Sequence, residues 1–219
     1  FQNKGKTFDL EAGKKAQALY YAMIAQIDDQ FARILQALDD TGQRNNTVII
    51  FTSDHGESLG DHGLMFKGAR FYEGLVRVPL IISCPTRFQS GHHSDALVEM
   101  LDLTATLLDL AGVPSPEYQQ GKTLVPILRG EDRGDHREFV RSEYFDALDP
   151  MFTGGKHKLV VYHGKDVGEL FDLEKDPWEH DNLWDSPEHA DVKNQLIAES
   201  FDAHVLLTTD VGSERIAPM

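Results

Sequence analysis

The chain has 219 residues, 41% of them hydrophobic and 26% charged, the make-up of a globular protein with a core of its own. Lys and Arg number 21 against 36 Asp and Glu, and the net charge of −15 argues against nucleic acid or an anionic membrane surface as partner. A single cysteine, Cys84, excludes an intrachain disulfide and a cysteine-based zinc cluster, and no apolar run approaches the ~20 residues that cross a bilayer, so no membrane insertion is expected.

The first residue is Phe1 rather than Met, so the expectation is a piece of a longer protein. Ala12 to Asp40 predicts a long helix. Leu19, Met23, Ile27, Phe31, Ile34, Leu35 and Leu38 recur at three- and four-residue spacing, forming one apolar stripe. "DDTGQRNN" stops it, with Gly42 suited to the left-handed position past a helix end. Val48 to Thr52 is continuous, apolar and β-branched, and predicts a central strand buried on both faces, as in a parallel sheet. Val78 to Ser83 predicts a second such strand, with Pro79 near its start where a missing donor costs least. Leu97 to Leu110 predicts a helix ended by "AGVPSP".

The pattern changes near "LRGEDRGDH", Leu128 to His136. Short alternating segments follow, "FVRSEYF" from Phe139, "KLVVYH" from Lys158 and "ELFDL" from Glu169, and predict an antiparallel sheet. A last helix is expected from Asp185, capped by Asp185 or Ser186, with Pro187 in its first turn. These elements predict an α/β unit over 1–134 and a small α+β subdomain over 135–219.

The chemistry concentrates after the first strand, in "TSDHGESLGDHGLMFKG". Ligands of parallel α/β sheets bind beyond the carboxyl ends of strands, where Asp54 and His55 stand. Carboxylate plus imidazole is half a coordination sphere for a divalent metal. The same pair also reads as a turn cap and a solvated loop histidine. Lys67, twelve positions past His55, reads either as a surface lysine or as a cation that folds back to neutralise a bound oxyanion. Asp61 and His62 read as groups behind the metal ligands, orienting the loop, or as an ordinary turn.

The stretch "YYAMIAQIDDQFARILQALDDTGQRNNTVIIFTSDHGESLGDHGLMFKGARFYEGLVRVPLIISCP" resembles the sulfatase family of the alkaline-phosphatase-like superfamily. The likeness continues through "LDLTATLLDLAGVPSPEYQQGKTLVPILRG" into "KHKLVVY" and "ELFDLEKDPWEHDNL", nearly the whole chain. It implies the C-terminal part of an alkaline-phosphatase-like α/β sandwich, with the small antiparallel subdomain behind it. Asp54 matches the family's metal-binding aspartate. His55 matches the next ligand position, Asn in some members and His in others. Lys67 matches the lysine that contacts the sulfate and the region of the leaving oxygen.

Family members hydrolyse sulfate esters with a formylglycine made from Cys or Ser in a C/S-x-P-x-R motif. That motif and its companion metal-binding aspartates lie earlier in the family's pattern and are not found here. "CPTR", Cys84 to Arg87, lacks the residue between Cys and Pro and falls after the metal ligands, so Cys84 reads as a small buried residue at a strand end. The chain is therefore expected to carry part of an active site, to be inactive alone, and to bind metal weakly, since two ligands do not satisfy a cation that takes about six or more. The resemblance implies Ca²⁺; the imidazole ligand leaves Mn²⁺ or Zn²⁺ open. The partner implied is a small-molecule or glycan sulfate ester. Two other readings stay open: a phosphonate monoester or phosphodiester hydrolase of the same superfamily, and a truncated domain without catalysis.

Overall fold

The computed structural model describes residues 9–131, 136–144, 151–153 and 156–209. They fall into two compact units, 1–90 and 91–219. The compositional boundary expected at 134/135 lies outside the described residues.

The first unit begins with helix α1, Leu10–Asp40. Asp9 caps it, its carboxylate accepting the N–H groups of Glu11 and Ala12. Gly42 ends it at φ 66°, the left-handed conformation its lack of a Cβ permits. Within the apolar stripe, Phe31 meets Phe51 with ring centroids 5.5 Å apart, while Leu19, Met23, Ile27 and Ile34 face outward, each more than half exposed.

Strand β1, Ile49–Thr52, pairs with strand β2, Leu80–Ser83, from Ile49 opposite Ser83 to Thr52 opposite Leu80. The pairing is antiparallel, which corrects the parallel-sheet reading. A parallel return needs a crossover element running back along the strands. The link here holds only the short turn Asp61–Gly63 and the four-residue helix α2, Glu73–Val76, so the chain re-enters from the end it left. Nor is β1 buried on both faces: its four residues are half-buried, and Ile81 of β2 is exposed. Cys84 follows β2 and is buried, its thiol facing the Asn45 carbonyl.

The second unit contains helix α3, Met100–Ala111, the short helix α4, Val125–Leu128, a four-stranded sheet and helix α5, Ala190–Thr209. Helix α3 starts later than the sequence suggests because the Asp102 carboxylate accepts the Glu99 N–H and fixes the first turn there. The sheet is an antiparallel meander of β3, Val140–Ser142, β4, Met151–Thr153, β5, His157–Val161, and β6, Gly168–Asp172. Its centre is β5, where Lys158, Leu159 and Val160 are all buried, and Leu170 and Phe171 of β6 complete the core. Ser186 precedes a single turn, Pro187–His189, that feeds α5.

Among the described residues of this unit, charge is buried at Asp102, at the Lys158–Glu179 pair and at Asp172. The Asp102 carboxylate, fully enclosed, accepts from the Lys122 N–H at 2.7 Å and pairs with Arg137 and His136. Lys158 meets Glu179 at 2.6 Å with both side chains out of solvent. The "DLEKDPWEHDNL" segment works as a chain of turns. Asp172 accepts the N–H groups of Glu174 and Lys175, Asp176 that of Asp181, and Asn182 those of Leu170 and Trp184.

Candidate active site

The turn after β1 is fixed by its backbone. The Gly56 N–H donates to the Leu75 carbonyl at 2.8 Å, tying the strand exit to α2. A Cβ at Gly56 would lie 1.9 Å from the Gly74 oxygen, so only glycine permits this crossing. Ser53 closes the turn from the other side, its hydroxyl donating to the His55 carbonyl at 2.8 Å.

That turn decides which nitrogen of His55 faces outward. Nδ1 lies 2.8 Å from the Gly56 carbonyl oxygen, which can only accept, so Nδ1 carries the proton. Nε2 is left with a lone pair. It accepts from the Lys67 ammonium at 2.8 Å and lies 3.6 Å from Asp54 Oδ2. The structure thus brings together Asp54, His55 and Lys67. The Asp54 carboxyl is held below its ordinary range, first by the backbone N–H of His55 donating to it, with the Lys67 ammonium adding to the effect.

A carboxylate oxygen 3.6 Å from an imidazole lone pair is part of the donor set of a divalent metal, and the Gly56 carbonyl behind Nδ1 is the support such a ligand usually has. Asp54 and His55 therefore fit a metal as two of its ligands. Among the described residues no three His, Cys, Asp or Glu side chains gather as a complete metal site.

Asp61 and His62 follow on the same loop. Both lie in the turn Asp61–Gly63, and an Asp61 oxygen lies 3.7 Å from where a Cβ of Gly74 would be. His62 adopts φ 52° and stacks on Tyr72, centroids 3.8 Å apart and planes 8° from parallel. The loop between is tied by Ser58, whose hydroxyl donates to the Phe66 carbonyl, and by Gln17 of α1, which donates to the Leu59 carbonyl at 2.6 Å. Glu73 and Arg77 approach to 3.9 Å one helical turn apart. Gly56 was expected only to let the chain turn tightly after His55, and Gly74, Gln17 and the His62–Tyr72 stack were not foreseen as parts of the site. The signal available was the glycine in each of "DHGE" and "YEGL", which marks close backbone approach without saying to what.

The fold is that of the alkaline-phosphatase-like hydrolases. Over 87% of its length the chain superposes with a TM-score of 0.81 on 40% of a protein solved in complex with its substrate D-glucosamine-2-N,6-O-disulfate, at 30% identity. It superposes with a TM-score of 0.79 on 41% of the phosphonate monoester hydrolase of Agrobacterium radiobacter, also at 30% identity and over 87% of this chain. A Clostridium perfringens arylsulfatase is 34% identical over 200 residues, 86% of this chain and 41% of that protein. The sulfatase family model matches residues 1–113, and the model of the C-terminal part of N-sulphoglucosamine sulphohydrolase matches residues 60–204. The chain belongs to the sulfatase family. It spans about two-fifths of the length of these relatives.

Proposed function

We propose that the protein carrying this chain is a metal-dependent sulfuric ester hydrolase acting on a small-molecule or glycan sulfate. Asp54 and His55 are two of its metal ligands, and Lys67 contacts the sulfate. The observation that carries this reading is the convergence of Asp54, His55 and Lys67 at the end of β1 in a chain of the sulfatase family. The relative solved with a disulfated glucosamine favours a sulfated sugar within that class.

Each residue has a separable task. Asp54, with its depressed pKa, stays anionic through the neutral range and offers a hard oxygen donor. His55, held by Gly56 through Nδ1, presents Nε2 without having to change tautomer. Lys67 supplies a mobile positive charge on a four-carbon stem, able to follow a sulfuryl oxygen as its negative charge grows. It also offsets a chain-wide charge of −15 that repels sulfate. A cation held by Asp54 and His55, Ca²⁺ by family resemblance and Mn²⁺ or Zn²⁺ by the imidazole, would supply further charge stabilisation. Formylglycine, expected outside this chain, supplies the nucleophile. With two ligands and no nucleophile of its own, this chain is inactive alone and holds metal weakly.

The test compares hydrolysis of an aryl sulfate and an aryl phosphonate by the full-length, metal-loaded protein, with Lys67→Ala beside it. The expected result is faster sulfate hydrolysis, lowered by on the order of 10²–10³-fold in the variant. Preference for the phosphonate favours the second reading, which the Agrobacterium hydrolase's similarity supports. Hydrolysis of neither ester overturns both.

A further inference from the structure

Lys67 lies five residues beyond His62 and five before Tyr72, and those two rings are stacked face to face. The segment bearing the lysine is thus a loop closed at its neck by an aromatic pair. Two further observations mark the neck as built rather than incidental. His62 holds φ 52° and Leu59 φ 49°, left-handed conformations that surrounding contacts must sustain. The strand side of the neck is tied down as well, by the Ser58 hydroxyl on the Phe66 carbonyl and the Gly60 N–H on the Leu64 carbonyl. Lys67 itself is exposed and has a long, flexible stem, so its reach to His55 depends on where the loop backbone stands.

We infer that His62 and Tyr72 are positioning residues: their stack clamps residues 63–71 so that the Lys67 ammonium lies over His55 and, in turnover, over the sulfate. The inference rests on the sulfatase reading only for what Lys67 does to substrate. The clamp acts on the loop whatever the substrate is. Neither ring is a catalytic residue, and each acts through Lys67.

The experiment uses the full-length protein with three variants. His62→Asn removes a ring while keeping a residue that tolerates the left-handed conformation. Tyr72→Leu removes the other ring, and Tyr72→Phe keeps it. Kinetics on an aryl sulfate are read beside amide hydrogen exchange over residues 63–71. With the clamp, His62→Asn and Tyr72→Leu each lower kcat by on the order of 10- to 100-fold and speed exchange in that segment. Tyr72→Phe stays within about threefold of the parent on both readouts. In a Lys67→Ala background, His62→Asn lowers kcat no further. A full His62→Asn loss in that background shows His62 acting on substrate itself and overturns the inference. Unchanged exchange over 63–71 overturns it as well. If the parent hydrolyses no sulfate ester, the functional reading fails while the exchange measurement still decides the clamp.

Discussion

Removing the Lys158 ammonium while leaving Glu179 in place should cost the second unit about 3–5 kcal/mol. Lys158 is the second residue of β5, opposite Phe171 of β6, and neither its side chain nor that of Glu179 reaches solvent. At 2.6 Å the pair's gross attraction is about 6 kcal/mol at an effective dielectric of about 20. That sum is offset by several kcal/mol of lost hydration for each ion, so the pair as a whole contributes little net stability. The asymmetry appears when one partner goes. Lys158→Met fills the same space with apolar atoms but takes the ammonium from a buried carboxylate. Glu179→Gln in addition removes that charge, and the double variant should recover to within about 1 kcal/mol of the parent. Urea unfolding followed by Trp184 emission reads this unit, because the Trp184 ring packs on the backbone of Gly168 in β6. With a urea slope of about 2 kcal/mol/M, Lys158→Met should lower the midpoint by about 2 M and the double variant by less than about 0.5 M. A single-variant shift below about 0.5 M, or a double variant worse than the single, would refute the claim that a buried carboxylate deprived of its ammonium sets the cost.

Other outcomes follow from the same coordinates. On the proposed reading, Gly56→Ala in the full-length protein should abolish sulfate hydrolysis and lower metal affinity, because its Cβ meets the Gly74 oxygen at 1.9 Å and must displace the carbonyl that orients His55; calorimetric titration of that protein with Mn²⁺ checks the second effect. Asp102→Ala should destabilise the second unit by about 3–5 kcal/mol in urea unfolding, since it takes the enclosed carboxylate from His136, from two backbone N–H groups and from Arg137, which keeps its pair with Glu99. Stability should fall on acidification. Burial lowers the His157 pKa against the pull of Asp172. At Asp172 burial acts to raise the pKa, but the Lys175 N–H and the charges of Lys156 and Lys175 outweigh it. Both groups, like Asp54, then bind protons less readily folded than unfolded, so unfolding takes up protons and stability drops with pH. The His157 contribution is complete above about 6.5 and is lost below it, and the carboxylate contributions go below about 3.8, so His157→Gln should flatten only the upper step of a stability–pH curve.

The parts of the fold legible in the sequence were those set by local rules. The 3.6-residue recurrence from Leu19 to Leu38 and the glycine at 42 marked α1 and its end, because both depend only on neighbours along the chain. Strand direction was not legible. Val48 to Thr52 carries the composition of a strand, but composition does not say which way its partner runs, and the short α2 link that decides it gives a weak signal. Strand β4, three residues long, is too short for any alternation to register. The late start of α3 was written in the sequence as Glu99 and Asp102 three apart, an acidic form of the capping pattern.

The candidate site divides along the same line. Residue type and spacing nominated Asp54, His55 and Lys67 with turn and surface readings open beside them, and the resemblance to the sulfatase family is what implied their roles. What turns that chemistry into a geometry is non-local. The Gly56 carbonyl fixes the His55 tautomer only because the chain crosses at Gly74, and the loop around Lys67 is defined by a ring stack and by Gln17 reaching across from α1. A cation needs little help to approach a chain with a net charge of −15, whereas a sulfate approaches against that field. On the proposed reading the demand for exact placement therefore falls on Lys67, and the loop that carries it is secured at Leu59 by α1, at Phe66 by Ser58 and at His62 by Tyr72.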